Sequence, residues 1–254
     1  MRTPLLIIAV LKVTGVALAL GGGSLTWALI LFFGPDVWLL YHVFVPGASG
    51  LARTFSCFGT ERPEVWLTID DGPDPDDTPR ILDLLDRHDA RATFFVIGHR
   101  AAQHRELVAE ICRRGHEIGH HTHTHRTGTF WCASPARTRR ELDAALPHLS
   151  LAGAARPSRF RPPVGIKNLF LGPALIERGL TCVAWNVRSF DSFSHDAEKT
   201  AARVLRQVRP GSIILMHEGP SLHASVRVTA LARTLEQLAA RGLRCVIPTD
   251  AQLR

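Results

Sequence analysis

The chain has 254 residues, with 30 Lys and Arg against 23 Asp and Glu for a formal charge of +7. That length holds a membrane-associated segment plus one well-buried domain, and no low-complexity tract interrupts it. The positive charges are almost all arginines, placed singly or in pairs without aromatic interleaving. This pattern reads as solvated faces and argues against a nucleic-acid partner.

In chain order, the first feature is an uncharged run of 23 residues from Val13 to Pro35, long enough to cross a bilayer as one helix. Arg2 and Lys12 precede it and Asp36 follows, which predicts an inward N-terminus and a domain on the far side. Trp38 and Tyr41 fall where an interfacial belt would contact membrane lipid. Two alternatives stay open. "TGVALALGGGS" also reads as part of a cleavable signal peptide, giving a secreted form. Glycines 21–23 also divide the run into short apolar segments, 5–20 and 25–33, that form a re-entrant pair. Residues 1–45 are thus expected to be an anchor with its juxtamembrane segment, 46–63 a linker and 64–250 a domain.

Within that domain the strand candidates are "EVWLTI", "ATFFVI", "HEIG", "SRFRPP", "TCVAWNV", "SIILMH" and "RCVIP". Helical periodicity recurs near 77–88, 103–114, 135–147, 168–178, 196–208 and 225–241. Thr78-Pro79 resembles a cap followed by a first-turn proline, and Gly115, Gly179 and Gly242 fit helix ends. About seven strands alternating with helices predict an α/β fold of parallel strands, either an open sheet or a barrel. The five cysteines contain no C-x-x-C, and Cys182 and Cys245 read as buried small hydrophobes. A Cys112–Cys132 or Cys57–Cys132 disulfide stays open in an oxidising compartment.

In either architecture functional groups gather at the C-terminal ends of strands. Asp70 and Asp71 end the first strand, His120 to His125 follow the third, and Arg161 ends the fourth. Trp185, Asn186 and Asp191 follow the fifth, while His217 and Glu218 end the sixth. Asp71-Gly72 alone could be turn chemistry, and one strand-end histidine is commonly structural. Five segments converging on one rim point instead to a site. His121 and His125, four apart, can face one metal if the segment turns helically, with a carboxylate from another strand end completing the set. His116, His120 and His123 fall outside it. If Asp71 is the ligand, Asp70 is free to be a general base, and His217 is the candidate acid.

Together these segments resemble the polysaccharide deacetylase family, the NodB-homology group of carbohydrate esterases, over residues 64–250. Thr68-Ile69-Asp70-Asp71-Gly72, His121-Thr122-His123-Thr124-His125, Phe160-Arg161-Pro162-Pro163-Val164-Gly165, Trp185 through Asp191, and Ile213-Ile214-Leu215-Met216-His217 carry the resemblance. It implies a distorted (β/α) barrel, here preceded by the transmembrane helix, and one divalent metal, zinc with cobalt or nickel as substitutes. Asp71, His121 and His125 would bind that metal. Asp70 would be the base, Arg161 its partner, His217 the acid and Asp191 the residue orienting it. The Val164 N–H would hold the oxyanion, and Leu215, Trp185 and Pro163 would line the pocket.

The implied reaction removes N-acetyl groups from an N-acetylglucosamine-type polymer or oligosaccharide: chitooligosaccharide, peptidoglycan or exopolysaccharide. A lipid-linked aminosugar is the alternative substrate, and a non-catalytic sugar-binding or scaffold protein the alternative class. The implied location is the bacterial inner membrane, with the catalytic domain on its outer side. Val164, Arg188 and Ser192 depart from the family pattern, which bears on substrate fit rather than on the chemical residues.

Overall fold

Nine short strands build the sheet of this computed structural model, which describes residues 2–150 and 156–253. They are β1 (Thr54–Phe55), β2 (Glu64–Asp70), β3 (Ala92–Val96), β4 (Glu117–His120), β5 (Arg159–Phe160), β6 (Thr181–Val183), β7 (Val187–Arg188), β8 (Ile213–His217) and β9 (Arg244–Cys245). Eight run parallel in the order β1-β6-β5-β4-β3-β2-β8-β7, and β9 pairs with the start of β2. The result is an open, curled parallel sheet, a distorted barrel.

The strand count exceeds the expected seven for two reasons. "TCVAWNV" is not one strand but two, because the chain changes partners at Trp185. Ahead of it β6 pairs with β1 and β5; beyond it β7 pairs with β8. The Ala184 N–H donates to the Phe55 carbonyl at 2.7 Å and the Asn186 N–H to the Ile213 carbonyl at 3.2 Å. Three residues therefore tie the two ends of the sheet together. Residues 46–63, read as a linker, supply the other extra strand: β1 pairs with β6, and Phe58 bridges to Leu253.

Alternation along the strands sorts side chains between two compartments. Val65, Leu67, Ile69, Phe94, Ile214 and Met216 face the helices in the main core. Trp66, Phe95, Val183 and Ile213 form a separate inner cluster. Asp70 shares its phase with Trp66 and Thr68, and His217 shares its phase with Ile213 and Leu215. Period two thus delivers both polar groups to the barrel interior.

The helices are α1 (Arg2–Leu20), α2 (Leu25–Phe44), α3 (Thr78–Arg87), α4 (Gly98–Gln103), α5 (Arg105–Arg113), α6 (Pro135–Asp143), α7 (Leu146–Leu149), α8 (Leu171–Ile176), α9 (Ala197–Gln207) and α10 (Arg227–Ala240). In α3, Pro79 sits in the first turn and Ile81, Leu82 and Leu85 are buried. Truncating such a residue to alanine costs about 2–5 kcal/mol. All five cysteines are free thiols.

The uncharged run Val13–Pro35 is not one helix. It breaks at glycines 21–23, where Gly22 has φ 75°, and α1 and α2 pack side by side as a hairpin. A Cβ at Gly15 would lie 2.7 Å from the Ala28 carbonyl oxygen, so glycine permits the close approach. Lys12 Nζ contacts Asp36 Oδ2 at 2.5 Å across the hairpin. By length and composition α2 could cross a membrane, whereas the apolar part of α1, Leu6–Leu20, is shorter.

Candidate metal centre and active site

Strand ends and strained loops assemble the site. Asp71, Thr122, His125 and Val164 have φ of 74°, 63°, 50° and 49°. For the β-branched Thr122 and Val164 this left-handed backbone is intrinsically unfavourable, and such strain persists only where surrounding contacts impose it. Those contacts are identifiable. The His125 N–H donates to Thr122 Oγ1 at 3.2 Å, and Glu141 accepts from the N–H groups of His123 and Thr124. Arg100 donates to the Asp71 carbonyl at 2.7 Å.

Asp71, His121 and His125 each present one ligand atom, all within 4.8 Å of one another. His125 Nε2 lies 3.1 Å from Asp71 Oδ1 and 3.1 Å from His121 Nε2. Around tetrahedral zinc, nitrogen and oxygen ligands stand about 3.3 Å apart, so the spacing fits. Asp71 Oδ1 is buried without a hydrogen-bond partner. His121 Nδ1 donates to the Arg161 carbonyl at 2.7 Å, which leaves the Nε2 lone pair facing the cluster. Burial, reinforced by His121, pushes the His125 pKa down to about 3, so its imidazole is neutral and available as a ligand. Burial alone would raise the Asp71 carboxyl, but the neighbouring imidazoles bring it below its ordinary value. An orphaned acceptor facing two imidazole lone pairs is a donor set for one divalent cation.

Asp70 stands beside this cluster, 3 % exposed. Its Oδ1 accepts from Arg161 NH1 at 2.6 Å, and its Oδ2 lies 3.7 Å from His121 Nε2. Arg161 is fully buried. It also donates to Thr68 Oγ1 and to the carbonyls of Val183 and Ala184, and its guanidinium lies over the Phe95 ring. Each of its three nitrogens is therefore engaged, which fixes the plane of the guanidinium against Asp70.

Across the β2–β8 register Asp70 is the Cα partner of His217. His217 Nδ1 is 2.7 Å from Asp191 Oδ1, and the His217 N–H donates to Asp191 Oδ2 at 2.8 Å. Burial would lower the His217 pKa; the Asp191 carboxylate overrides it and raises the value to about 9. Leu215 is buried two residues before His217, and Pro163 is buried beside Val164, which is 48 % exposed. Trp185 packs against Gly165.

His120, outside the metal set, serves the scaffold. His120 is buried, donates from Nε2 to the Leu142 carbonyl and accepts the Thr122 N–H at Nδ1. Sequence reasoning missed Glu141 and Ser192, whose Oγ is 3.3 Å from His217 Nδ1. Both sit beyond the strand-end motifs. The Ser192 position adjoins Asp191 and was legible only as a departure from the family pattern.

Comparison with known proteins agrees with this geometry. The polysaccharide deacetylase family pattern matches residues 59–183. A chitooligosaccharide deacetylase from Sinorhizobium fredii is 36% identical over 199 residues, covering 75% of this chain and 92% of that protein. The crystal structure of a peptidoglycan N-acetylglucosamine deacetylase, bound to a naphthyl N-oxidanyl-benzamide, superposes with a TM-score of 0.69 at 34% identity over 76% of this chain and 89% of that one. A family 4 carbohydrate esterase from Streptomyces lividans, in complex with acetate, gives 0.65 at 30% identity over 75% and 96%. The chain belongs to the polysaccharide deacetylase family. It carries the Asp-His-His metal triad of that family's metal-dependent deacetylases.

Proposed function

We propose that the chain hydrolyses N-acetyl groups of N-acetylglucosamine-type poly- or oligosaccharides. The observation that carries this reading is the pairing of Asp70 with His217 on adjacent strand ends, flanking the Asp71–His121–His125 cluster. The cation held by the cluster supplies Lewis acidity toward water and the acetamide carbonyl. Arg161 occupies Oδ1 of Asp70 and leaves Oδ2, on the cluster side, to take the proton of the attacking water. Asp191 occupies Nδ1 of His217, so Nε2 carries the proton delivered to the departing nitrogen. The Val164 N–H serves the developing oxyanion. Leu215, Trp185 and Pro163 shape the acetyl pocket. A non-catalytic sugar-binding role is disfavoured because base and acid are both retained.

The exposed apolar surface of α1 and α2, with Trp38 and Tyr41 at its domain end, supports residence in a membrane. A hairpin returns the chain to the side on which it began. A domain on the outer face of a bacterial inner membrane would then have the start of α1 beside it, unlike the arrangement expected of a single span, and Arg2 and Lys12 no longer argue for that face. Membrane-impermeant labelling of single cysteines, placed at residue 3 or in the domain of an otherwise cysteine-free chain, tests this: both should label from the outside, and failure of either refutes it. The activity is tested by acetate release from N-acetylglucosamine oligomers and peptidoglycan fragments, using the zinc-loaded full-length chain in detergent alongside Asp70→Asn. Acetate from the wild type alone supports the reading; no acetate despite stoichiometric zinc overturns it.

A further inference from the structure

We infer that the C-terminal turn of α2 is part of the active site, holding the loop that carries Val164 through the buried side chain of Lys167. This inference rests on the deacetylase reading above. Lys167 is fully buried, yet among the described residues no carboxylate lies within ion-pair distance. Its Nζ donates to the carbonyls of Val45 at 2.9 Å and Pro46 at 2.8 Å, and its backbone N–H donates to the Val43 carbonyl at 3.0 Å. These oxygens belong to the end of α2 and the residues just after it, where the helix dipole favours a cation; of the three, the Val45 carbonyl also accepts the Ala48 N–H at 3.1 Å. A buried ammonium without a counter-ion is costly unless its hydrogen bonds are met in this way.

The loop held by Lys167 is the strained one. Val164 and Gly165 have φ of 49° and 76°. A Cβ added at Gly165 would lie 2.8 Å from Pro46 and 2.7 Å from Trp185. Chain from the helix junction, the loop and the pocket-lining tryptophan thus meet with no space between them. On the far side of the junction Phe44 packs near Trp131, with ring centroids 6.1 Å apart. Lys167 touches neither the metal ligands nor the acid, so it is a positioning residue for the Val164 N–H. Its removal releases the loop toward a relaxed backbone and takes that N–H off the oxyanion.

The test compares the zinc-loaded full-length wild type with Lys167→Met, Lys167→Arg and Gly165→Ala. It measures acetate release, zinc stoichiometry and amide hydrogen exchange. Lys167→Met and Gly165→Ala should each lower kcat about 10- to 100-fold, the size expected for a small displacement of a reacting geometry. KM should change less, zinc should stay stoichiometric, and exchange should rise over residues 162–167 while 117–125 and 213–218 stay protected. Lys167→Arg keeps donors to both carbonyls and should recover most of kcat. Wild-type kcat in Lys167→Met, or lowered kcat with unchanged loop exchange, overturns the inference. If Lys167→Met loses zinc and protection throughout, Gly165→Ala decides by the same two criteria. A wild type that releases no acetate overturns the deacetylase reading alone, and loop exchange in the variants still decides whether α2 holds the loop.

Discussion

His125 and His217 share one rim and are both partly withdrawn from water, yet their imidazoles are driven in opposite directions. At His125 desolvation prevails with His121 beside it, and the pKa falls to about 3. At His217 desolvation acts in the same sense, but the buried Asp191 carboxylate at 2.7 Å reverses it to about 9. Burial alone does not set a histidine's role; the charge it faces does. One half of the rim is therefore stocked with lone pairs and the other with a proton, which is the division of labour an amide hydrolysis requires.

The metal half should be the more sensitive. Chelation, or His125→Ala, should abolish acetate release, with the loss followed by zinc analysis. Restoring zinc at about 100 times its Kd should return roughly 2.7 kcal/mol of stability, read as a rise in Tm. Asp70→Asn, which keeps the shape and removes the base, should lower kcat by about 10²–10⁴-fold with zinc stoichiometry unchanged. Retained activity in that variant would move the base elsewhere.

On the acid half, Asp191→Asn should lower kcat by about 10²-fold and move the alkaline limb of the pH profile downward, toward the ordinary histidine value, because the carboxylate that holds the His217 proton is gone. An unmoved limb would detach His217 from the acid role. The smallest effect concerns stability. The folded pKa of His217 lies above its ordinary 6.5, so protonation favours the folded state. The contribution, on the order of 3 kcal/mol, is full below pH 6.5 and fades as pH rises through about 9. Urea titrations of metal-free protein between pH 6 and pH 10 should show that slope, and Asp191→Asn should flatten it.

The strand-end chemistry was legible because both signals are local: apolar runs mark the strands, and polar residues mark where they stop. Partner identity is not local. Nothing in "TCVAWNV" marks the residue at which hydrogen bonds pass from β1 and β5 to β8, since Trp185 continues the apolar run. Thr54–Phe55 is too short for a period to register, and its surroundings are rich in the proline, glycine and serine of ordinary loops. Glycines 21–23 did advertise a weak point, and the hairpin breaks there. Lys167 illustrates the opposite failure. A charged residue in a loop reads as solvated, and only the return of Val43–Pro46, more than a hundred residues earlier in the chain, explains its burial.

The junction between α2 and the domain has no slack, because the carbonyls of Val43, Val45 and Pro46 are each engaged by Lys167. A catalyst mounted this way cannot swing outward on a tether. If the helix hairpin lies in a bilayer, the active site would stay in a thin slab at constant altitude, and encounters would become two-dimensional. Turnover would then follow how many enzymes and acetylated sugars share a unit of area, not their molarity. Acetylated sugars outside that slab would go unprocessed however abundant they are.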